Sequence, residues 1–193
     1  VKTGDGTLQN SVTTYDALIA NTTVKAGVYE VNDNSRFGQN TFVRDNIVVE
    51  SGATIDFAGP NPLWLRNRCL KVAGTGAAGK GGALVFSVQG YMEYFQPELT
   101  GDATFLTLGS RHCQIFNQLS GNIARIIMNG HTLTLKSGGA AASGNFGYAL
   151  KHGLKIAGSG TITLDGSHFN QTVAGAFDAQ RDAGTTVALV LTN

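Results

Sequence analysis

The chain has 193 residues, in which 14 Lys and Arg residues nearly balance 13 Asp and Glu residues, giving a net charge of +1. Because the chain has no strong electrostatic field of either sign, it is poorly suited to binding nucleic acid. Because it has no stretch of about 20 consecutive apolar residues, it cannot insert a membrane helix. Charged residues are only 14% of the chain while Gly occupies 26 positions, a composition typical of a soluble unit with many turns.

The N-terminal region, residues 1–26, is predicted to be a cap. Residues 14–20 (TYDALIA) have a Thr in the N-cap position and apolar residues on one side, which indicates a short helix. Residues 27–31 (GVYEV) then form the first predicted strand. Because the chain begins with Val1 rather than Met, we expect that a leader was removed or that this is part of a longer polypeptide.

Residues 27–193 contain an internal repeat, in which a small or polar residue precedes an apolar one that opens an alternating run. The successive steps are 29, 21, 28, 29 and 25 residues, with a mean of about 26. A longer phrase agrees, since LKVAGTG at 70–76 returns as LKIAGSG at 154–160. The repeated pair occurs at Thr54-Ile55, Ala83-Leu84, Thr104-Phe105, Thr132-Leu133, Thr161-Ile162 and Thr186-Val187.

Within each repeat the apolar residues alternate with polar ones, as in a strand that buries one face. For residues 104–108 two registers stay open, one with Phe105 inward and one with Leu106 and Leu108 inward. The predicted core consists of Ile55, Phe57, Leu133, Leu135, Ile162, Leu164, Val187 and Leu189.

These patterns predict an all-β fold, a parallel β-helix (β-solenoid) of roughly six to seven coils with the short helix as its N-terminal cap. A single repeat of about 26 residues cannot bury its apolar face until neighbouring copies stack on it. An antiparallel sandwich is the competing fold, but it does not explain the return of the longer phrase after 84 residues.

Four stretches resemble bacterial surface proteins with autotransporter-associated β-strand repeats: 44–59 (RDNIVVESGATIDFAG), 66–76 (RNRCLKVAGTG), 99–105 (LTGDATF) and 128–139 (MNGHTLTLKSGG). The resemblance implies a right-handed parallel β-helix that is secreted or displayed on a bacterial surface. It also implies a passenger that is one section of a very long polypeptide. The repetition with chemically varied outward residues predicts a structural or adhesive stalk or fibre. Because the apolar strand predicted at 187–191 leaves an unpaired edge, the expected partners are neighbouring coils or further copies stacked head to tail.

The sequence predicts no catalytic, metal or cofactor site. The carboxylates are scattered singly, so residues such as Asp56 are interpreted as solvated charges, and the four His residues lack a close partner. The glycine-rich segment 74–82 (GTGAAGKGG) is interpreted as a loop between strands. Two separate buried thiols at Cys69 and Cys113 are favoured over a disulfide, although the sequence leaves both open.

Aromatic residues provide the candidate binding surface. Exposed aromatic residues near polar groups can stack on sugar rings, and Trp64, Tyr91 and Tyr94 are the candidates. For Trp64, which lies between Leu63 and Leu65, core packing is favoured over display. A glycan-binding or polysaccharide-degrading β-helix is therefore the second functional hypothesis. A trimeric protein similar to a phage tail fibre is the third.

Overall fold

The computed structural model is an all-β protein with parallel strands. It describes residues 1–10, 22–32, 43–58, 63–64, 68–87, 90–93, 96–108, 114–116, 125–138, 155–165, 180–181 and 186–192. This part of the chain contains no helix, and so none that could cross a membrane. The predicted helix at 14–20 lies outside the described residues. In chain order the strands are β1 (Thr7–Asn10), β2 (Thr23–Val24), β3 (Gly27–Val31), β4 (Val43–Val49), β5 (Ala53–Phe57), β6 (Leu63–Trp64), β7 (Arg68–Gly74), β8 (Leu84–Phe86), β9 (Gly90–Glu93), β10 (Gln96–Thr107), β11 (Gln114–Phe116), β12 (Arg125–Ile127), β13 (Thr132–Ser137), β14 (Lys155–Ala157), β15 (Gly160–Asp165), β16 (Gln180–Arg181) and β17 (Val187–Thr192).

Eight strands form a continuous series of parallel pairs, in the order β1, β3, β5, β8, β10, β13, β15 and β17, which we call the first ladder. Residues at the same level of neighbouring strands are 21 to 30 positions apart in the chain. β1 lies within residues 1–26, so the parallel pairing extends into the region predicted as a cap. One column of paired residues consists of Leu8, Tyr29, Ile55, Leu84, Phe105, Leu135, Leu164 and Leu191.

A second ladder joins β2, β4, β7, β10, β12, β14 and β16, and a separate three-stranded sheet joins β6, β9 and β11. β10 belongs to both ladders, and its register with β7 shifts between Leu99 and Ala103. From β6 to β13 successive strand segments belong in turn to the three-stranded sheet, the second ladder and the first ladder, and this order repeats. All pairs between described strands are parallel, which excludes the antiparallel sandwich.

The register differs from the predicted repeat at two steps. Thr104 pairs with Thr134 rather than Thr132, and Thr161 pairs with Ala188 rather than Thr186. Both differences are two residues, and successive side chains of a strand alternate between its faces. A two-residue shift therefore leaves the same side chains facing inward, and the predicted face is kept although the predicted spacing of the repeats is wrong at these two steps.

The inward side chains of both ladders form one buried hydrophobic cluster. Six predicted core residues are at most 1% exposed: Ile55, Phe57, Leu133, Leu135, Ile162 and Leu164. Phe57 and Phe86 stack within it, with ring centroids 5.1 Å apart. Phe105 is fully buried in the cluster while Leu108 is 46% exposed, so the first of the two registers left open for 104–108 is the one adopted.

The two core residues predicted in β17 differ from the others. Val187 is half-buried and packs against the cluster, whereas Leu189 is 39% exposed, so the assignment of Leu189 to the core is wrong. Leu189 pairs with the buried Ile162 and has the same inward register. Its exposure follows from position, because among the described strands β17 pairs only with β15 and nothing covers its other side.

Candidate functional site

The glycine-rich loop at residues 75–83 covers the outward face of β5. All five residues of β5 are buried, although only Ala53, Ile55 and Phe57 belong to the core cluster. The outward Thr54 is buried beneath the loop. Its hydroxyl donates a hydrogen bond to the Gly82 carbonyl and accepts one from the Ala77 amide, both at 2.8 Å. The loop is thus fastened to the strand near both of its ends.

An ion pair between the partly exposed Lys80 and a buried carboxylate holds the middle of this loop. Lys80 Nζ donates to Asp56 Oδ2 at 2.8 Å, and Ser87 Oγ donates to Asp56 Oδ1 at 2.6 Å. Asp56 is 3% exposed, so its interpretation as a solvated charge is wrong. Its place on the outward face was predicted correctly, but the loop lies over that face and replaces water around the carboxylate with Lys80 and Ser87.

The close approach of the loop to β5 requires glycine at position 76. Gly76 has a φ of +93°, and a Cβ atom there would overlap the Gly82 carbonyl and lie 2.8 Å from Thr54 Oγ1. A residue with a side chain would be strained by the backbone conformation and would also displace the hydrogen bonds of Thr54. The segment 74–82 therefore includes a loop between strands, as predicted, and that loop is closely packed.

At the edge of the loop the outward side chains of the first ladder change from buried to solvent-accessible. One outward column runs through Asp56, Val85, Leu106, Lys136 and Asp165. The first three are buried, Lys136 is exposed and Asp165 is half-buried. The outward face consequently passes from covered strands to open strands between β10 and β13.

An open groove of about 420 Å³ lies along this edge. The loop contributes residues 75–79 and Gly81 to it, and the strands contribute Thr104, Thr134, Lys136 and Asp165. Grooves of this size are within the range that holds small organic ligands. The groove combines backbone groups of a fixed loop with hydroxyl groups and one pair of opposite charges.

The charged side chains at the groove compensate each other. Lys136 Nζ lies 3.4 Å from Asp165 Oδ2, at paired positions of β13 and β15. The described residues contain no cluster of three or more His, Cys, Asp or Glu side chains suited to a metal ion. The groove thus offers both hydrogen-bond donors and hydrogen-bond acceptors, with no excess charge from the Lys136–Asp165 pair, and such a surface can bind a polar molecule.

The predicted aromatic contacts are only partly described. Trp64 and Tyr91 occupy directly paired positions of β6 and β9, and Tyr91 pairs in turn with Gln114 of β11. The register thus brings two of the three aromatic residues to neighbouring positions, 27 residues apart in the chain. Tyr94 and Cys113 lie outside the described residues, as does the side chain of Cys69.

Sequence reasoning missed the groove residues Thr104, Thr134, Lys136 and Asp165 as a group. The signal available was the insertion at 77–82, which places Lys80 24 residues, about one repeat, after the outward Asp56. The chain matches no family model, and neither the curated proteins nor the solved structures searched contain a significant match to it.

Proposed function

We propose that this chain is a non-catalytic structural or adhesive segment of an extracellular β-solenoid. The observation that supports it best is the run of parallel pairs at chain separations of 21 to 30 residues through the first ladder. When each strand pairs with its equivalent in the next repeat, the repeats stack as successive coils. The extracellular bacterial location is proposed from the sequence resemblance.

The two ends of the first ladder suit it for assembly. β1 and β17 each pair with one strand only among those described, and both keep apolar side chains in water, with Leu8 48% exposed and Val190 42% exposed. All rungs between them are parallel, so β17 of one copy and β1 of the next can pair in the same orientation. Such a head-to-tail contact is heterologous and extends into a filament.

We expect the 193-residue chain to form elongated, concentration-dependent assemblies in sedimentation velocity and negative-stain microscopy. Val190→Lys should abolish them, because a charge on an edge strand opposes pairing with another strand. Thr163→Lys is the matched control, since Thr163 pairs with Val190 one strand further from the edge. A monodisperse monomer at high concentration, with amides 187–192 exchanging freely with solvent, would refute the stacking proposal, and a discrete trimer would favour the tail-fibre hypothesis.

We also expect no turnover of polysaccharides. Incubation with neutral and acidic polysaccharides should release neither reducing ends nor unsaturated products, because glycoside hydrolysis needs two carboxyl groups on either side of the bond. Among the described residues that line the groove Asp165 is the only carboxylate, and it is already paired with Lys136. Product release that disappears on mutation of a single Asp or Glu would contradict this expectation.

Glycan binding without hydrolysis is the second candidate function. It is favoured by the paired positions of Trp64 and Tyr91, because aromatic residues at adjacent rungs can offer successive stacking positions along a sugar chain. Quenching of the fluorescence of Trp64, the single Trp of the chain, by an oligosaccharide would support it.

A further inference from the structure

We propose that the groove between the glycine-rich loop (residues 75–83) and the strands β10, β13 and β15 is a binding site for a neutral carbohydrate. The groove lies on strands other than those that carry Trp64 and Tyr91, so the proposal is independent of the aromatic positions. It is also independent of the structural role proposed above, because it depends only on the outward face of the first ladder.

A buried threonine hydroxyl without a protein partner among the described residues lies at the groove. Thr104 is only 8% exposed and lines the groove, and its hydroxyl has no hydrogen-bond partner within the described part of the chain. Buried polar groups are nearly always hydrogen-bonded, so an exception needs water or a ligand. Thr54 shows the contrast, since this threonine on the covered part of the same face uses its hydroxyl twice.

A second threonine occupies the paired position on the neighbouring strand. Thr104 pairs with Thr134 in adjacent parallel strands, which are about 4.8 Å apart. Thr134 is half-buried, lines the same groove and likewise has no side-chain partner among the described residues. Two hydroxyls at this separation can bond to neighbouring hydroxyl groups of one ligand, each as donor or acceptor.

The balance of charge at the groove favours a neutral ligand. Lys136 is paired with Asp165 in the groove, and Lys80 behind the loop is paired with Asp56. An anionic ligand would therefore meet a carboxylate along with any cation, which makes the site unfavourable for phosphate or a uronic acid. A neutral polyol uses both members of the Lys136–Asp165 pair, one as donor and the other as acceptor.

The loop that forms one wall of the groove is held in place before any ligand binds. The loop is fixed by the hydrogen bonds of Thr54 and by the Asp56–Lys80 pair, so its exposed Ala78 and Gly79 are held at one position above the strands. A fixed wall spares the ligand the cost of ordering a mobile loop. Ala77 and Ala78 add small apolar surface against which the C–H groups of a sugar ring can pack.

The test is a titration of the ¹⁵N-labelled full chain with neutral tetrasaccharides, namely a β-1,4-glucan, an α-1,4-glucan and a β-1,4-linked N-acetylglucosamine oligomer. We expect at least one of them to shift the amide signals of Gly76, Gly79, Gly81 and Thr134. An acidic galacturonate oligomer of the same length should bind at least ten-fold more weakly, because it meets the Asp165 carboxylate.

Thr104→Val and Thr134→Val should each weaken binding about 3- to 10-fold, the effect of losing one neutral hydrogen bond. Thr161→Val is the matched control, because Thr161 is on the outward face of β15 but outside the groove, and it should change affinity less than two-fold. Each variant keeps a β-branched residue in its strand, and its amide spectrum verifies the fold.

Three results would overturn the proposal. The first is that no neutral oligosaccharide shifts the amide signals at about 10 mM. The second is that Thr104→Val, Thr134→Val and Thr161→Val all bind equally strongly. The third is that the acidic oligomer binds in preference to the neutral ones. The second result would place the sugar elsewhere on the chain, with the Trp64 and Tyr91 positions as the next to test. None of the three bears on head-to-tail stacking, which is measured separately.

Discussion

Replacing Leu133 by Ala is expected to lower the free energy of unfolding by about 2–5 kcal/mol. Leu133 is a fully buried member of the cluster and pairs with Ala103 on one side and Ile162 on the other. Because strands on both sides fix the spacing of the backbone, the surroundings cannot collapse into the cavity, and the loss should lie above the transfer free energy alone. Urea unfolding followed by circular dichroism measures the change.

Leu189→Ala is the matched control for this variant. Leu189 occupies the same column as Leu133 and Ile162, but its 39% exposure means that less apolar surface is lost on truncation. We expect a decrease below about 1 kcal/mol in the monomer, in proportion to the smaller buried area. Equal losses for the two variants would show that Leu133 is not at the centre of a closed core.

Replacing Lys80 by Met is expected to destabilise the protein by about 2–3 kcal/mol. The substitution leaves the Asp56 carboxylate, which is 3% exposed, without the cation that lies 2.8 Å from it. Breaking a fully buried ion pair costs about 3–5 kcal/mol, and the 32% exposure of the Lys80 side chain reduces this value through solvent screening. Chemical unfolding of the variant measures the loss.

Two further variants determine whether the effect belongs to the buried pair. Lys136→Met removes the same charge from the more exposed pair with Asp165 and should cost less than about 1 kcal/mol. Asp56→Asn removes the buried charge and leaves Lys80 able to reach water, so the double variant with Lys80→Met should cost less than the sum of the single ones. Additive losses, or equal losses for Lys80→Met and Lys136→Met, would contradict the role given to Asp56.

In β5, β13 and β15 the alternating pattern was sufficient to predict which side chains face inward, whereas at residues 104–108 it left two registers open. Side chains of a strand alternate strictly, so Leu133, Leu135, Ile162 and Leu164 could be assigned to one face from the sequence. The segment predicted as a strand at 27–31 coincides with β3 for the same reason. The exact chain separation of paired residues was less well predicted, because a shift of two residues changes the length of a turn without changing the face.

Exposure at the end of the ladder could not be obtained from the local pattern. Leu189 alternates with its neighbours as Ile162 does, and only the strand pairing shows that nothing described covers β17 on its second side. Solvent exposure is a property of what packs on a residue. A repeat identifies equivalent positions but does not distinguish an inner coil from a terminal one.

The strand-rich class, the inward face of the regular repeats and their approximate spacing are readable from the residues alone, because they depend on period and composition within each segment. The burial of Asp56, the pairing of Thr104 with Thr134 and the groove that both line with the loop emerge only in the folded chain. These relations join residues 24 to 30 positions apart, through the stacking of strands and the folding back of one loop. Local pattern fixes the direction of a side chain within its strand, whereas its environment is created by segments that are distant in the chain.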